Sequence, residues 1–343
     1  MNRRTNLLIQ RGRVALVFVA LVVLGLLIAQ RPQPVSGAGN DPPVQVYYIS
    51  VPEYQSLPLF DLINNDASSP LRLRVTIAIR TAGTVIYYDH WENGYADDIA
   101  NPTDDEIYSG TNLGGVQIWG DNNPANGSPP GYPGDVLGTD DVIVIADDDI
   151  DTMDPPTNAN TLDFDGRDKF GASHSVAVVR AAWPNTANTL MAFAHELNPT
   201  TQWGQAYTAP VGCNTTAGSD SEDEMFEYTA FAVMAAYNNT TIEVDANADG
   251  TYEFSTPINE GGAVIAAGTP ITGCDYIRQG GRVRSTDPAK PIQVQLIAGD
   301  IGSNYELRDI TLVPDGNFGT SYWSPVGKST TDNGGSTSGP AMM

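Results

Sequence analysis

Hydrophobic and polar residues alternate with a period of two along several segments of this 343-residue chain. The clearest segments are 71–79, 84–88, 175–179, 241–244 and 291–297. They are rich in Val, Ile, Thr and Tyr and end at Gly, Asn, Asp or Pro, which is typical of β-strands joined by turns. Segment 224–236 has a weak helical pattern that also fits a strand. The alternation therefore predicts an all-β protein with antiparallel sheets.

The chain also repeats itself. Residues 84–94 match 240–250, residues 190–199 match 307–314, and the Tyr-x-x-Pro-Val-Gly motif at 207–212 returns at 322–327, in the same order. Such self-similarity predicts two tandem β modules, which we place at 44–212 and 214–327. A β-sandwich in each module is the first expectation, and a propeller-like arrangement is the alternative. Repeated residues such as Tyr207 and Tyr322 are expected to lie in the core or at corners.

The first copy is longer than the second, and its extra residues lie within 97–168. This stretch is dense in Asp, Asn, Gly and Pro, which predicts long surface loops around one buried strand at 141–146. Binding residues concentrate in loops on a rigid scaffold, so we expect function here. The last segment, 328–343, is a Gly/Ser/Thr linker or tail with no apolar pattern.

Acidic residues dominate the charge, with 41 Asp and Glu against 17 Lys and Arg and a net charge of −24. This balance disfavours nucleic acid as a partner and favours cationic ligands. The N-terminal segment 1–38 combines arginines with an apolar run at 14–29 and small residues at Ser36 and Ala38. It predicts a signal peptide or an uncleaved signal anchor, and hence an extracellular or cell-surface protein. If the segment is not cleaved, residues 14–29 would anchor the protein in the membrane.

Cys213 and Cys274 are the two cysteines of the chain. In an exported protein an even pair predicts one disulfide, with two unpaired thiols as the alternative.

The second copy resembles the N-terminal domain of the IgG-Fc-binding-protein-like family. The residues that carry this resemblance are 281–294, 307–314 and 319–322, and segment 87–95 (YYDHWENGY) of the first copy resembles the bacterial surface-protein branch. The resemblance covers most of 70–327. It implies an extracellular β-rich module with adhesion or binding roles, and it implies no particular ligand.

One segment resembles half of a calcium loop. Oxygen-bearing side chains stand at Asp245, Asn247 and Asp249, Thr251 offers a backbone carbonyl, and Glu253 follows. The position-12 glutamate of an EF-hand is replaced by Thr256, which excludes that motif. The alternative is a plain hairpin turn, because Asp, Asn and Gly are also what such turns need. The acidic runs at 147–154 and 163–168 could also bind calcium weakly, as a property of the acidic surface.

Catalytic motifs are weak. His195-Glu196 lacks the second histidine of a zinc helix, and the chain has no Gly-x-Ser-x-Gly elbow. Asp89 and Glu92 could act as the paired carboxylates of a glycosidase. Loop aromatics favour binding instead, and we expect Trp91, Tyr95 and Trp119 to contact a partner. The sequence thus favours a non-catalytic adhesion module that presents acidic loops to a protein or glycan; the alternatives are an extracellular carbohydrate-active enzyme and a structural spacer of a larger surface protein.

Overall fold

The structure is a computed structural model that describes residues 44–63, 70–132, 134–150, 163–185, 192–213, 226–266, 276–301 and 307–321. These residues contain one α-helix, α1 (Glu53–Ile63), and sixteen strands. The strands are β1 (Gln45–Tyr48), β2 (Leu71–Ile79), β3 (Ile86–Asp89), β4 (Gln117–Trp119), β5 (Val142–Ile150), β6 (Lys169–Ala172), β7 (Val176–Pro184), β8 (Phe193–Glu196), β9 (Ala206–Thr208), β10 (Tyr228–Ala235), β11 (Thr240–Asp245), β12 (Phe254–Ile258), β13 (Ala263–Ala266), β14 (Arg282–Ser285), β15 (Ile292–Gly299) and β16 (Leu307–Thr311).

The strands form four antiparallel sheets of four strands each. Sheet 1 has the order β1-β6-β3-β4, sheet 2 has β5-β2-β7-β8, sheet 3 has β13-β10-β15-β16 and sheet 4 has β9-β14-β11-β12. Each strand of sheets 1 and 2 therefore has a counterpart eight strands later in sheets 4 and 3, at the same place in the order. The chain is a duplication of one eight-strand unit, and we call β1–β8 the first half and β9–β16 the second half.

The four sheets follow one another in a ring, in the arrangement of a four-bladed β-propeller. The all-β prediction is confirmed, and the propeller-like alternative describes the arrangement. The strand that contains Tyr207, β9, pairs with β14 in sheet 4. The predicted end of the first copy at residue 212 therefore lies one strand too far, because Tyr207 begins the second half. As expected for a repeated residue, Tyr207 is buried.

Two main cores hold these sheets together. The first is built from the inward faces of sheets 1 and 2 and includes Val75, Ile77 and Phe170. The second lies between sheets 3 and 4 and includes Phe231 and Val283. Sheet 3 contributes to both, because β10 and β15 are buried on both faces. β2 is buried on alternate residues only, as its sequence alternation predicts.

Helix α1 is an element that the alternation did not predict. Its buried Leu57, Phe60 and Ile63 recur every three residues and pack into the first core, and Phe60 stacks on Phe193 with ring centroids 5.2 Å apart. Each such buried side chain contributes on the order of 1.5–3 kcal/mol. The chain enters the helix through Val51, whose φ of 52° lies in the left-handed region.

The two halves differ most in their loops. In the first half, the loop from β3 to β4 spans 90–116 and the loop from β4 to β5 spans 120–141, whereas their counterparts span 246–253 and 259–262. The insertion predicted within 97–168 thus consists mainly of these two inserted loops. β5 follows them, but its Val142 and Val144 are exposed, so the predicted buried strand is buried on one face only.

Candidate functional site

The second inserted loop, 120–141, is fixed by a buried aspartate. Asp135 is 2% exposed, and its carboxylate accepts hydrogen bonds from the backbone N–H groups of Gly120 and Asn123. Asn126 donates to the Asp121 carboxylate at 2.7 Å. Buried carboxylates that satisfy loop N–H groups hold a loop in one conformation. The second inserted loop therefore presents a surface of defined conformation.

The first inserted loop, 90–116, is tied down in the same way. Asp89 is 1% exposed and accepts a hydrogen bond from Ala96 N at 2.8 Å. The side-chain amide of Asn93 donates to the carbonyl of Gly114, and that of Asn112 donates to the carbonyls of Asp105 and Ile107. Side-chain amides thus add to the backbone hydrogen bonds of the loop, such as the one from Tyr108 N to the carbonyl of Val116.

Under these loops lies a cluster of titratable groups, His90, Glu92 and Asp168. One ligand atom from each lies within 4.8 Å of the others, and His90 and Asp168 are almost fully buried. Asp168 Oδ2 accepts a hydrogen bond from Tyr88 Oη at 2.7 Å and lies 3.3 Å from His90 Nδ1, which is 2.8 Å from the carbonyl of Asp163. The donor set is one that divalent metal ions use. Protein groups already donate to both oxygens of Asp168, since the N–H groups of Trp91 and Asp165 bond Oδ1 and Oδ2.

Burial makes the carboxylates of this region hard to ionise. Desolvation, followed by the charge of Asp168, raises the pKa of Asp165 to about 10 and that of Glu92 to about 7. Desolvation also raises the pKa of Asp89 to about 6. A carboxyl that stays protonated near neutral pH can act as a proton donor or hydrogen-bond donor.

The three aromatic residues predicted to bind a partner have different positions. Trp119 is fully buried and stacks on Tyr88 at 4.7 Å, so the prediction that it contacts a partner is wrong. The Trp119 side chain, at the end of β4, points inward, whereas the turn residues beside it in the sequence suggested a surface position. Trp91 is half-buried, and the Cζ atom of Arg167 lies 4.0 Å from the centroid of its ring. Its Nε1 donates a hydrogen bond to Asp165.

Tyr95 connects the two halves. Its hydroxyl donates to the carbonyl of Arg167 at 2.7 Å. A Cβ added to Gly261 would lie 1.7 Å from the Tyr95 hydroxyl oxygen. Next to Gly261, the Glu260 carboxylate accepts hydrogen bonds from Lys169 Nζ at 2.8 Å and from the hydroxyl of Tyr48 at 2.6 Å. The turn between β12 and β13 is thus held by an aromatic and cationic cleft of the first half. Tyr95 has a structural role in this contact.

The calcium candidate at the end of β11 forms a turn. Carboxylate oxygens of Asp245, Asp249 and Glu253 come within 4.8 Å of one another, and Asn247 and Thr251 hydrogen-bond to Asp249 in the same turn. The Asp245 carboxylate accepts hydrogen bonds from the N–H groups of Asp249 and Gly250, and Glu253 accepts one from Ala246 N. Backbone donors thus occupy the oxygens that a cation would need. The geometry favours the hairpin turn that the sequence offered as the alternative.

A third constellation, Ser50, His195 and Asp309, was not predicted. Ser50 Oγ lies 2.8 Å from His195 Nε2, and His195 Nδ1 lies 2.6 Å from Asp309 Oδ2. Gln295 Nε2 donates to the same serine oxygen at 3.0 Å. The order matches that of a hydrolase triad, but Ser50 is 0% exposed, so a substrate atom cannot reach it in this conformation.

Ser50 and His195 belong to the first half, whereas Asp309 and Gln295 belong to the second. Beside them Arg180 is fully buried, where desolvation lowers its pKa, and it donates to Ser56 at 3.0 Å. This polar network therefore joins the halves through an otherwise apolar core. Its members are far apart in the sequence, and no local motif could have revealed them.

Several predictions concern residues outside the described part. They are the signal or anchor segment 1–38 with its apolar run 14–29, Cys274, Tyr322 and the linker 328–343. Cys213 is buried, and the described residues contain no free cysteine. The pairing with Cys274 stays a prediction. Within the described residues, no helix has the length and apolar character needed to cross a membrane.

Comparison with known proteins gives no relative: no family model, curated protein or solved structure matches this chain.

Proposed function

We propose that this protein is an exported adhesion or interaction module without catalytic activity, in which the inserted loops of the first half present acidic side chains to a protein or glycan partner. The observation that carries this proposal is the contrast between the halves. They share strand order and sheet pairing, yet long, internally fixed loops occur in the first half at positions where the second has short turns. Shared positions serve the scaffold, so the specific function belongs to what differs.

The exposed groups of these loops define the partner chemistry. Four carboxylates of the first loop, those of Asp97, Asp98, Asp104 and Asp105, are exposed, and Leu113 is 55% exposed beside them. On a chain of net charge −24 this surface attracts a partner with cationic groups. The resemblance to the IgG-Fc-binding-protein-like family and the N-terminal signal pattern support an extracellular or cell-surface location.

The carbohydrate-active enzyme is less well supported. Asp89, one of the two carboxylates that such an enzyme would use, is 1% exposed and already accepts a hydrogen bond from the Ala96 N–H group. A glycosidase needs both carboxyl groups at the substrate.

The proposal is tested by screening residues 40–343, whose described part is one compact unit, against glycan and protein arrays with and without calcium. We expect reproducible binding to ligands that carry positive charge, without turnover. Absence of binding on every array, or hydrolysis of a glycan, would contradict the proposal.

A further inference from the structure

The outward face of sheet 2 is exposed and carries an apolar patch around two valines. In the row across the sheet, Val144 lies beside Thr76, which lies beside Val179, and both valines are more than 40% exposed. The neighbouring outward positions Val142, Ala78 and Ala177 are small and apolar, as are Ala146 and Ala181, which flank Arg74 in the next row. The exposed Glu196 of β8 pairs with Val179 and borders the apolar patch. On so acidic a protein, a contiguous apolar face of this kind is typical of an interaction surface.

The duplication shows what such a face does elsewhere in the same molecule. The corresponding sheet of the second half is sheet 3, and its outward face is covered. Ala230 and Ala232 of β10 and Ile297 of β15 pack into the first core, against the first half. One of the two duplicated faces is therefore an interface with protein of this same fold, and the other is uncovered.

The two ends of the uncovered face differ. At one end the Trp183 ring lies 5.5 Å from the Arg74 guanidinium, and Arg72 is the neighbour of Trp183 in the sheet. At the other end is a largely apolar cavity of about 490 Å³, lined by Ala78, Val142 and Ala177, with Asp140, Asp141 and Arg80 also at its wall. The cationic end is opposite in charge to the two aspartates at the apolar cavity, and its Trp183 ring is an apolar group of the kind that such a cavity accepts.

We propose that this face binds the same face of a second copy of the chain. A two-fold axis between the sheets and across the strands places the Trp183 end of each copy over the cavity of the other. The valines of the two faces then form the centre of a sheet-on-sheet contact, with the sheets about 10 Å apart as in β-sandwiches. Two-fold dimers are the commonest homo-oligomers.

Sedimentation velocity of residues 40–343 over a range of concentrations tests the proposal, with the double variant Val144→Glu, Val179→Glu as the main probe. We expect a concentration-dependent dimer for the parent chain and at least a tenfold larger dissociation constant for the variant. Both side chains are exposed, so folding is expected to be kept, which circular dichroism checks. The matched control is Val313→Glu, at a valine that is 55% exposed elsewhere.

The Trp183→Ala variant tests the orientation of the copies, since it removes the side chain that would enter the partner's cavity, and we expect it to weaken the dimer as well. A parent chain that stays monomeric at every concentration overturns the proposal. A dimer that the double valine variant leaves unchanged also overturns it, because the contact then lies on another surface.

Discussion

The two halves of this molecule have the same strand order and different surfaces. In the second half, β11 ends in a tight turn at Asp245, whose carboxylate is satisfied by the next N–H groups in the chain. In the first half, β3 ends at Asp89, whose carboxylate serves an N–H group of a long loop that returns to the sheet only at residue 117. A duplicated scaffold can thus keep one copy short while the other acquires loops, provided that buried polar groups fix those loops.

The contacts between the halves are expected to give the largest effect on stability. Asp309→Ala leaves His195 without its carboxylate in a buried network, and losing one partner of such a pair costs about 3–5 kcal/mol of unfolding free energy. The matched control is Glu243→Ala, which breaks the partly exposed pair with Arg284 and is expected to cost at most about 1 kcal/mol. Urea denaturation measures both. Equal losses would show that the network does not join the halves.

A smaller effect is expected where the second half's turn meets Tyr95. Gly261 has a φ of 65°, and a Cβ there would collide with the Tyr95 hydroxyl, so Gly261→Ala should lower the unfolding free energy by about 2–4 kcal/mol. Gly250→Ala is the control, since its φ of 89° adds similar strain but nothing lies within 4 Å of the added Cβ. It should cost about 1 kcal/mol. Thermal unfolding distinguishes the two, and an equally mild Gly261 variant would contradict the inter-half contact.

The pH dependence of stability should have opposite signs at the buried carboxylates of the first half and at the Asp249 turn of the second half. Burial raises the folded-state pKa of Asp165 to about 10, of Glu92 to about 7 and of Asp89 to about 6. These values lie above the unfolded ones, so the folded state binds extra protons and stability falls as pH rises from about 4 to 10. In the second half, a hydrogen bond from Thr251 lowers the pKa of Asp249, so its contribution is lost as pH falls through the folded pKa, which lies below 3.8.

Unfolding free energies between pH 3 and 8 check this contrast. Glu92→Gln should make the decrease between about pH 4 and 7 less steep, with Asp89 and Asp165 supplying the rest, whereas Asp249→Asn should alter only the acid limb. A Glu92→Gln variant with the parent slope would exclude Glu92 as a source of the decrease.

The sequence predicted the parts of the fold that repeat locally. Alternation identified β2, β7 and β15, and self-similarity identified the duplication, because both signals depend on which residues face a core. It failed where tertiary contacts decide. Trp119 lies beside turn residues but faces inward, and Tyr207 begins the second half although the repeat placed it at the end of the first copy. Ser50, His195 and Asp309 meet only through the fold. The position of the inserted loops was predictable from composition, whereas the buried aspartates that fix them were not distinguishable from solvated ones.

The central claim is that the first half's loops bind and the second half is scaffold. The most direct measurement is the affinity of array-selected ligands for two charge-matched variants: Asp97, Asp98, Asp104 and Asp105 changed to Asn, and Glu243, Asp249, Glu253 and Asp287 changed to the corresponding amides. The account predicts at least a tenfold loss for the first variant and an unchanged affinity for the second. Equal losses in both, or a loss confined to the second variant, would contradict it.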